Sequence, residues 1–385
     1  NLMKKTLLVD TNRASIPIFR ELIRKGHDIT VVGKNKQEPL ARICKNYYSI
    51  DYSDIKNLKQ FIKENNFNYC VPGCTDVSYR VLSEIRGDIN HKNIDCIKTF
   101  KTIYEKDKFK ELAYNLNLSV VKRITKNDLN NVKDIIIKPN NSHSGIGIER
   151  ISNPTYEKVT KAIKNAKDQG NSENVVLEEF IEGQLYSHSA VIKNNRIAKD
   201  FFVKEDNSKG HFHVDTSCLD RTLKSDIMES IRNEINLIIS KLELKSGIIH
   251  TQFIYTGSSY FLLECTRRCP GDLYSLLIEY STGYNYAKNY LEPFINEIPK
   301  FDKNIIDERR YIIRHTITND NKLFFNLNFN KSVKIKSFFP LISTCEASNS
   351  QAQRIAIVFF ESNTLEEHNK LYEMIMEKKL YSFDT

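Results

Sequence analysis

The first hundred residues alternate short apolar runs with amphipathic stretches, and this repeat constrains the fold more than any other feature of the chain. KKTLLVD is an apolar run that ends in an acid; Ile16 to Lys25 carries apolar residues at helical spacing, Gly26 stops it, and DITVVG is a second apolar run. The pattern recurs with a helical stretch from Ile55 to Asn66 and the strand NYCVPG, and ends near Asp95 to Ile97. Successive β-α-β units of this kind build an open parallel sheet with helices on both faces. Such sheets bind ligands at the carboxyl ends of their strands. The first turn, DTNRAS, contains no G-x-G-x-x-G, so a nicotinamide-dependent dinucleotide site is not expected.

At 385 residues the chain exceeds what one hydrophobic core organises, which predicts two or three packed subdomains. Its 40% hydrophobic and 27% charged residues exclude global disorder, and no apolar run approaches the roughly 18 to 20 residues of a membrane span. The net charge of +9 comes from lysines interleaved with Asn, Ile, Glu and Asp, without a basic run of five. That distribution argues against a nucleic-acid stripe. No membrane partner is expected either, and the expected location is cytoplasmic. The eight cysteines are scattered without a C-x-x-C pair, as reduced structural thiols would be.

After Lys101 a charged helical stretch leads into strands around Val120, Ile135 to Lys138 and Val175 to Phe180, separated by helical stretches near Thr155 to Lys167 and Ser225 to Leu242. This is an α+β body. From Phe301 onward short strand-like runs alternate with Asn, Asp and Ser turns before a final helical stretch, LEEHNKLYEMIMEKK, so an α+β appendage is expected at the C-terminus.

Three stretches carry candidate chemistry. In IIIKPNNSHSGIGIERI a strand delivers Lys138 to a loop of small residues and two glycines, Gly145 and Gly147. Backbone N–H groups and a lysine in that arrangement suit phosphate oxygens, and a plain hairpin has the same composition. VVLEEFIEGQLYSHSAVI reads as two strands with a turn; its backbone could also meet an adenine edge beside a carboxylate. In GIIHTQFIYTGSSYFLLECTRRCPGD, Gln252 and Glu264 lie on strands joined by a TGSS turn, so both side chains can reach one sheet face as oxygen ligands for Mg²⁺. Arginines and a Pro-Gly-Asp turn follow, suited to charge on a transferred phosphoryl group, with a surface hairpin as the plainer reading. His211 and His213 read as solvated loop residues, with His211 a modest candidate for substrate contact, and His250 as a residue that orients its strand beside Gln252.

In this order and at these separations, the three stretches resemble the ATP-grasp superfamily of carboxylate-amine ligases, in its carbamoyl-phosphate synthetase and biotin carboxylase-like branch. The resemblance covers residues 4 to about 300. It implies a pre-ATP-grasp parallel sheet domain at 1–98, an ATP-grasp domain at 99–300 with a lid subdomain about 119–187, and a C-terminal subdomain at 301–385. It implies ATP held by Lys108, Lys138 and a mobile loop of Ser142, His143, Ser144, Gly145 and Gly147, with adenine at a hinge of Glu178, Glu179, Phe180 and Ile181. Mg²⁺ would sit on Glu264, with Gln252 and Thr266 standing where the family has an acid and an asparagine. Arg268 and Lys138 would be catalytic. The implied reaction activates a substrate carboxylate as an acylphosphate that an amine captures, giving an amide, ADP and phosphate. The partners are then a small-molecule carboxylate and an amine, and a homodimer is left open. A nucleotide-binding regulatory protein and a small-molecule kinase are alternatives on the same cleft.

Overall fold

The structure is a computed structural model that describes residues 3–89, 91–140, 146–170, 172–210, 212–298, 310–320, 323–341 and 353–384. The N-terminal repeat folds as expected into a parallel sheet of β1 (Lys5–Val9), β2 (Asp28–Gly33), β3 (Asn46–Ser49) and β4 (Tyr69–Pro72), in the order β3-β2-β1-β4. Its strands are apolar runs because Leu7, Leu8, Val31, Val32 and Val71 are fully buried. At the carboxyl ends of β1 and β4, buried Asp10 accepts hydrogen bonds from the Ser15 hydroxyl at 2.5 Å and the Cys74 N–H at 3.1 Å. Thr75 then caps the helix Asp76–Ile85. This knot of hydrogen bonds places Asp76, the first residue of that helix, at the edge of the central cleft.

A small lobe follows, with β5 (Asp134–Pro139), β6 (Glu149–Ser152) and β7 (Val175–Glu179) in the antiparallel order β6-β5-β7. Ile135 and Ile137 pack with Val159 and Ala162 of the helix Tyr156–Gly170 into a core separate from the other three. Gly147 has φ +71°, and a Cβ there would stand 2.8 Å from the Pro139 ring, so this turn demands glycine on both counts.

The rest of the chain is built on one antiparallel sheet. It comprises β8 (Gln184–Lys193), β9 (Arg196–Asp206), β10 (Thr216–Leu219), β11 (Gly247–Tyr255), β12 (Tyr260–Thr266), β13 (Tyr311–Asn319), β15 (Lys334–Pro340) and β16 (Gln353–Ser362), while β14 (Asn326–Phe329) pairs with β17 (Tyr381–Asp384). The eight strands run in the order β12-β11-β8-β9-β10-β13-β16-β15. The segment after residue 300, expected as an appended subdomain, therefore enters the central sheet through the β10–β13 ladder. Ile231, Ile235, Ile238 and Ile239 of the helix Ser225–Leu242 cover part of one face, and Leu371 and Ile375 of the helix Leu365–Met376 cover the region of β13 and β16.

The N-terminal sheet is fastened to this body by a buried ion pair, Arg267 Nε to Asp95 at 2.6 Å. The same guanidinium donates to the carbonyls of Ile248 and Lys245. Tyr290 donates to the Pro72 carbonyl at 3.0 Å, a second buried tie.

Candidate active site

A cleft of about 980 Å³ lies between the small lobe and the central sheet. Its floor follows from strand alternation, since side chains two apart share a face. Glu264 on β12 pairs with Gln252 on β11, and Gln252 with Ser187 on β8. Glu205 on β9 pairs with Ser217 on β10, and Ser217 with Arg314 on β13. A row of polar side chains thus crosses an otherwise apolar sheet.

The lobe supplies the opposite wall. On β5, Ile136 and Lys138 face the cleft while Ile135 and Ile137 enter the lobe core. Lys138 Nζ stands 2.7 Å from one oxygen of Glu178, and Lys110 Nζ 2.7 Å from the other. Lys110 also donates to the Val121 carbonyl at 2.8 Å. Burial alone would push the Glu178 carboxyl up; the two lysines outweigh it and hold it down at about 2. Burial lowers the Lys110 pKa against the pull of Glu178. Glu178, expected at the adenine hinge, is therefore the counterion of two lysines, because its position on β7 lies opposite Ile136 on the inner face. Glu179, Phe180 and Ile181 do line the cleft. Gly183 follows; a Cβ there would lie 2.5 Å from Ile254, so the turn packs directly on β11. The guanidinium of Arg150 sits 3.9 Å above the Phe180 ring centre.

Lys108 does not reach this cleft. In the helix Lys106–Asn115 its ammonium pairs with Glu105 at 2.6 Å on a half-exposed side. Lys106 and Lys110, four residues apart and so on one helix face, point inward, and Lys106 Nζ lies 3.8 Å from Glu264. Ser142, His143, Ser144 and Gly145, as well as His211, lie outside the described residues.

The expected metal ligands are partly engaged elsewhere. The Gln252 amide nitrogen donates to Glu205 at 2.8 Å, and the Thr266 hydroxyl donates to Asp76 at 2.8 Å. Glu264 remains half-exposed to the cleft. Among the described residues no group of three or more His, Cys, Asp or Glu is spaced to hold a metal ion. The Gln252 carbonyl oxygen and the Glu264 carboxylate, directly cross-strand, are the oxygen donors left, and Mg²⁺ commonly uses one or two protein oxygens with water and substrate phosphates. The donor set fits that mode of binding.

Arg268 faces the cleft with both forks on Asp76, Nε at 3.1 Å and Nη2 at 3.2 Å. His250 is buried beside it and stacks edge-on to Tyr274 with ring centres 4.9 Å apart. Burial, reinforced by Arg268, pushes its pKa down to about 3, so it is neutral. Glu205 is buried and its pKa is raised by that burial. Asp76, Glu205, Lys106 and Lys110 were not anticipated. The i, i+4 spacing of the lysines was the one signal available for the last two; Asp76 meets Arg268 across 192 positions, which no local pattern reveals.

Residues 131–274 match the ATP-grasp domain family. The chain is 24% identical over 307 residues, 76% of each sequence, to a formate-dependent phosphoribosylglycinamide formyltransferase of Prochlorococcus marinus. Among solved structures, a phosphoribosylglycinamide synthetase from Anaerococcus prevotii superposes with a TM-score of 0.75 at 18% identity, covering 99% of both chains. An L-amino acid ligase from Bacillus licheniformis superposes with a TM-score of 0.81 at 15% identity over 99% of this chain and 98% of that one. These last two likenesses show a common fold.

Proposed function

From an ATP-grasp domain in the carboxylate-amine ligase superfamily, homologous to ATP-dependent enzymes, we propose that this protein is a ligase that activates a carboxylate with ATP and joins it to an amine. The observation that carries this reading is the placement of Lys106 and Lys138 on one wall of the cleft, with Lys110 buried behind Glu178, facing Glu264 and Arg268 on the other. Three cations around an anionic ligand supply what phosphoryl transfer needs, namely positioning and neutralisation of charge.

In this reading the triphosphate displaces part of the Lys110–Glu178–Lys138 network, and Lys106 moves from Glu264 toward the phosphates. The adenine lies against Phe180 and Ile181. Glu264 and the Gln252 carbonyl would hold Mg²⁺, which would supply positive charge to offset that of the phosphates. A substrate carboxylate oxygen attacks the γ-phosphorus, the bond to the β-phosphate oxygen breaks, and ADP leaves. The amine nitrogen then attacks the acyl carbon, phosphate departs, and the nitrogen gives up a proton. Arg268, freed from one arm of Asp76, is placed to stabilise the charge that develops on oxygen in both steps. Closure of the small lobe would exclude water, against which an acylphosphate has no other protection.

The test is release of ADP in a screen that pairs amino acids, sugar acids and ammonia, with product masses. A pair that gives ADP, phosphate and a product 18 Da lighter than the sum of its reactants supports the ligase; a mass gain of one phosphoryl group on a single acceptor would identify a kinase instead. Gln252 bonded to Glu205, in place of a second metal acid, favours a weakly catalytic, nucleotide-binding role as the second reading. ATP binding without ADP release from any pair would support it.

A further inference from the structure

Among the described residues that line the cleft, one cation has no carboxylate within ion-pairing distance. Lys106 faces Glu264, Lys110 and Lys138 share Glu178, Arg268 holds Asp76, and Arg354 holds Asp272 at 2.6 Å. Arg314 is different. It is 2% exposed, and its recorded partners are two hydroxyls, Ser217 at 2.9 Å and Thr316 at 3.4 Å. Among the described residues it forms no ion pair, and its charge favours the ionised forms of the Glu205 and Asp272 carboxyls, in both cases against burial as the larger cause.

The strand explains why this side chain points into the cleft. On β13, Arg314, Thr316 and Thr318 line the cavity, while Ile313 and Ile317 between them enter the core. A guanidinium withdrawn from water without an anion is costly, and a fold keeps it where an anion arrives. Arg354 borders the same end, and Arg13 lines a neighbouring pocket that shares Arg354 and Asp272 with the cleft; burial lowers the Arg13 pKa, and the charge of Arg354 lowers it further. This end lies at the far end of the polar row from Glu264, and its lining carries the carboxylates of Glu205, Asp215 and Asp272 as well as the two arginines Arg314 and Arg354.

We propose that Arg314 is the receptor for an oxyanion, a carboxylate or phosphate group on the second substrate, held bidentately by the guanidinium. Ser217 and Thr316 fix the plane of the fork, and Arg354 borders the bound group. This assignment rests on the ligase reading, because it takes the cleft as the substrate site. It concerns a group remote from the phosphates of ATP.

The test titrates inorganic phosphate and acetate against the full chain saturated with MgADP, reading thermal unfolding and calorimetry for wild type, Arg314→Met and Arg314→Lys. Wild type should gain Tm with anion. Arg314→Met should bind the anion at least tenfold more weakly, yet be no less stable than wild type without it, because an uncompensated charge has gone. Arg314→Lys should keep part of the response, and it decides the matter if the Met variant does not fold. A stronger response to phosphate marks a phosphate-bearing substrate, and a stronger response to acetate a carboxylate; either supports the receptor. An Arg314→Met protein that loses Tm but keeps the anion response would show that Arg314 is only a strut. A wild type that binds MgADP and ignores both anions overturns the receptor and leaves the ligase reading intact. Failure to bind MgADP, with an Arg314-dependent anion response preserved, overturns the ligase reading alone.

Discussion

The helix that carries three lysines at 106, 108 and 110 offers a sharp test of the nucleotide site. Each helical residue turns by about 100°, so Lys106 and Lys110 share a face and Lys108 lies on the opposite one. Lys106 is 11% exposed, with its ammonium 3.8 Å from Glu264 Oε2. A charge-assisted hydrogen bond from such a group to a phosphate oxygen is worth about 1.5 to 3 kcal/mol, which is roughly 10- to 150-fold in Kd. Lys108 is 45% exposed and tied to Glu105 three residues earlier. A surface pair of that kind contributes about 0.3 to 0.5 kcal/mol to the helix and nothing to the cleft. Lys106→Met should therefore weaken MgATP binding by tenfold or more in calorimetry, while Lys108→Met stays within about twofold of wild type. The helix-phase argument fails if Lys108→Met loses as much affinity as Lys106→Met, and the nucleotide site fails if both bind as wild type does.

Gln252→Glu would set a second carboxylate against Glu205, where an amide now donates at 2.8 Å. The variant should lose Tm above about pH 6 and recover more of it than wild type on addition of Mg²⁺; equal Mg²⁺ responses in scanning fluorimetry would contradict this. Arg267→Met leaves Asp95 buried without its partner at 2.6 Å, a loss of about 3 to 5 kcal/mol, seen as a lower urea midpoint at unchanged slope. Stability should also fall with acid in two stages. His250, held neutral by burial with a pKa of about 3 against 6.5 unfolded, makes the unfolded chain take up its proton first, so stability declines from about pH 6.5 downward. Glu178, at about 2 against 4.5 unfolded, adds a further loss between those values. An unfolding free energy that is flat from pH 7 to 4 would refute the first stage.

The N-terminal sheet was legible because its periodicity changes between strand and helix within single turns of sequence. Gln252 and Glu264 were legible as neighbours because a TGSS turn closes their hairpin, and they do pair across the ladder. Local spacing could not choose among three lysines on one helix, since the choice depends on which face the helix buries. Nor could it say that Gln252 and Thr266 spend hydrogen bonds on Glu205 and Asp76, which come from distant segments. Arg314 was invisible for the same reason: the ladder that brings it beside Ser217 joins positions 97 residues apart.

The central sheet makes the cleft a gauge of fixed length. Glu264 and Arg314 are separated by five strand steps in the order β12-β11-β8-β9-β10-β13. At about 4.8 Å a step, and with a two-residue offset along β9 because Ser187 pairs with Val203 and Ser217 with Glu205, their backbones are roughly 25 Å apart along the floor. Shortening or lengthening that interval would break backbone ladders that hold the sheet together, so swinging the small lobe changes the height of the cleft and leaves its length alone. Any molecule that touches both charged ends is measured against this interval. One that is a few bonds too short cannot be helped by closure, and one that is too long must buckle into the space below the lobe. Selectivity by length would then belong to strand register, and exchanging side chains along the floor would retune it far less than inserting or deleting a strand.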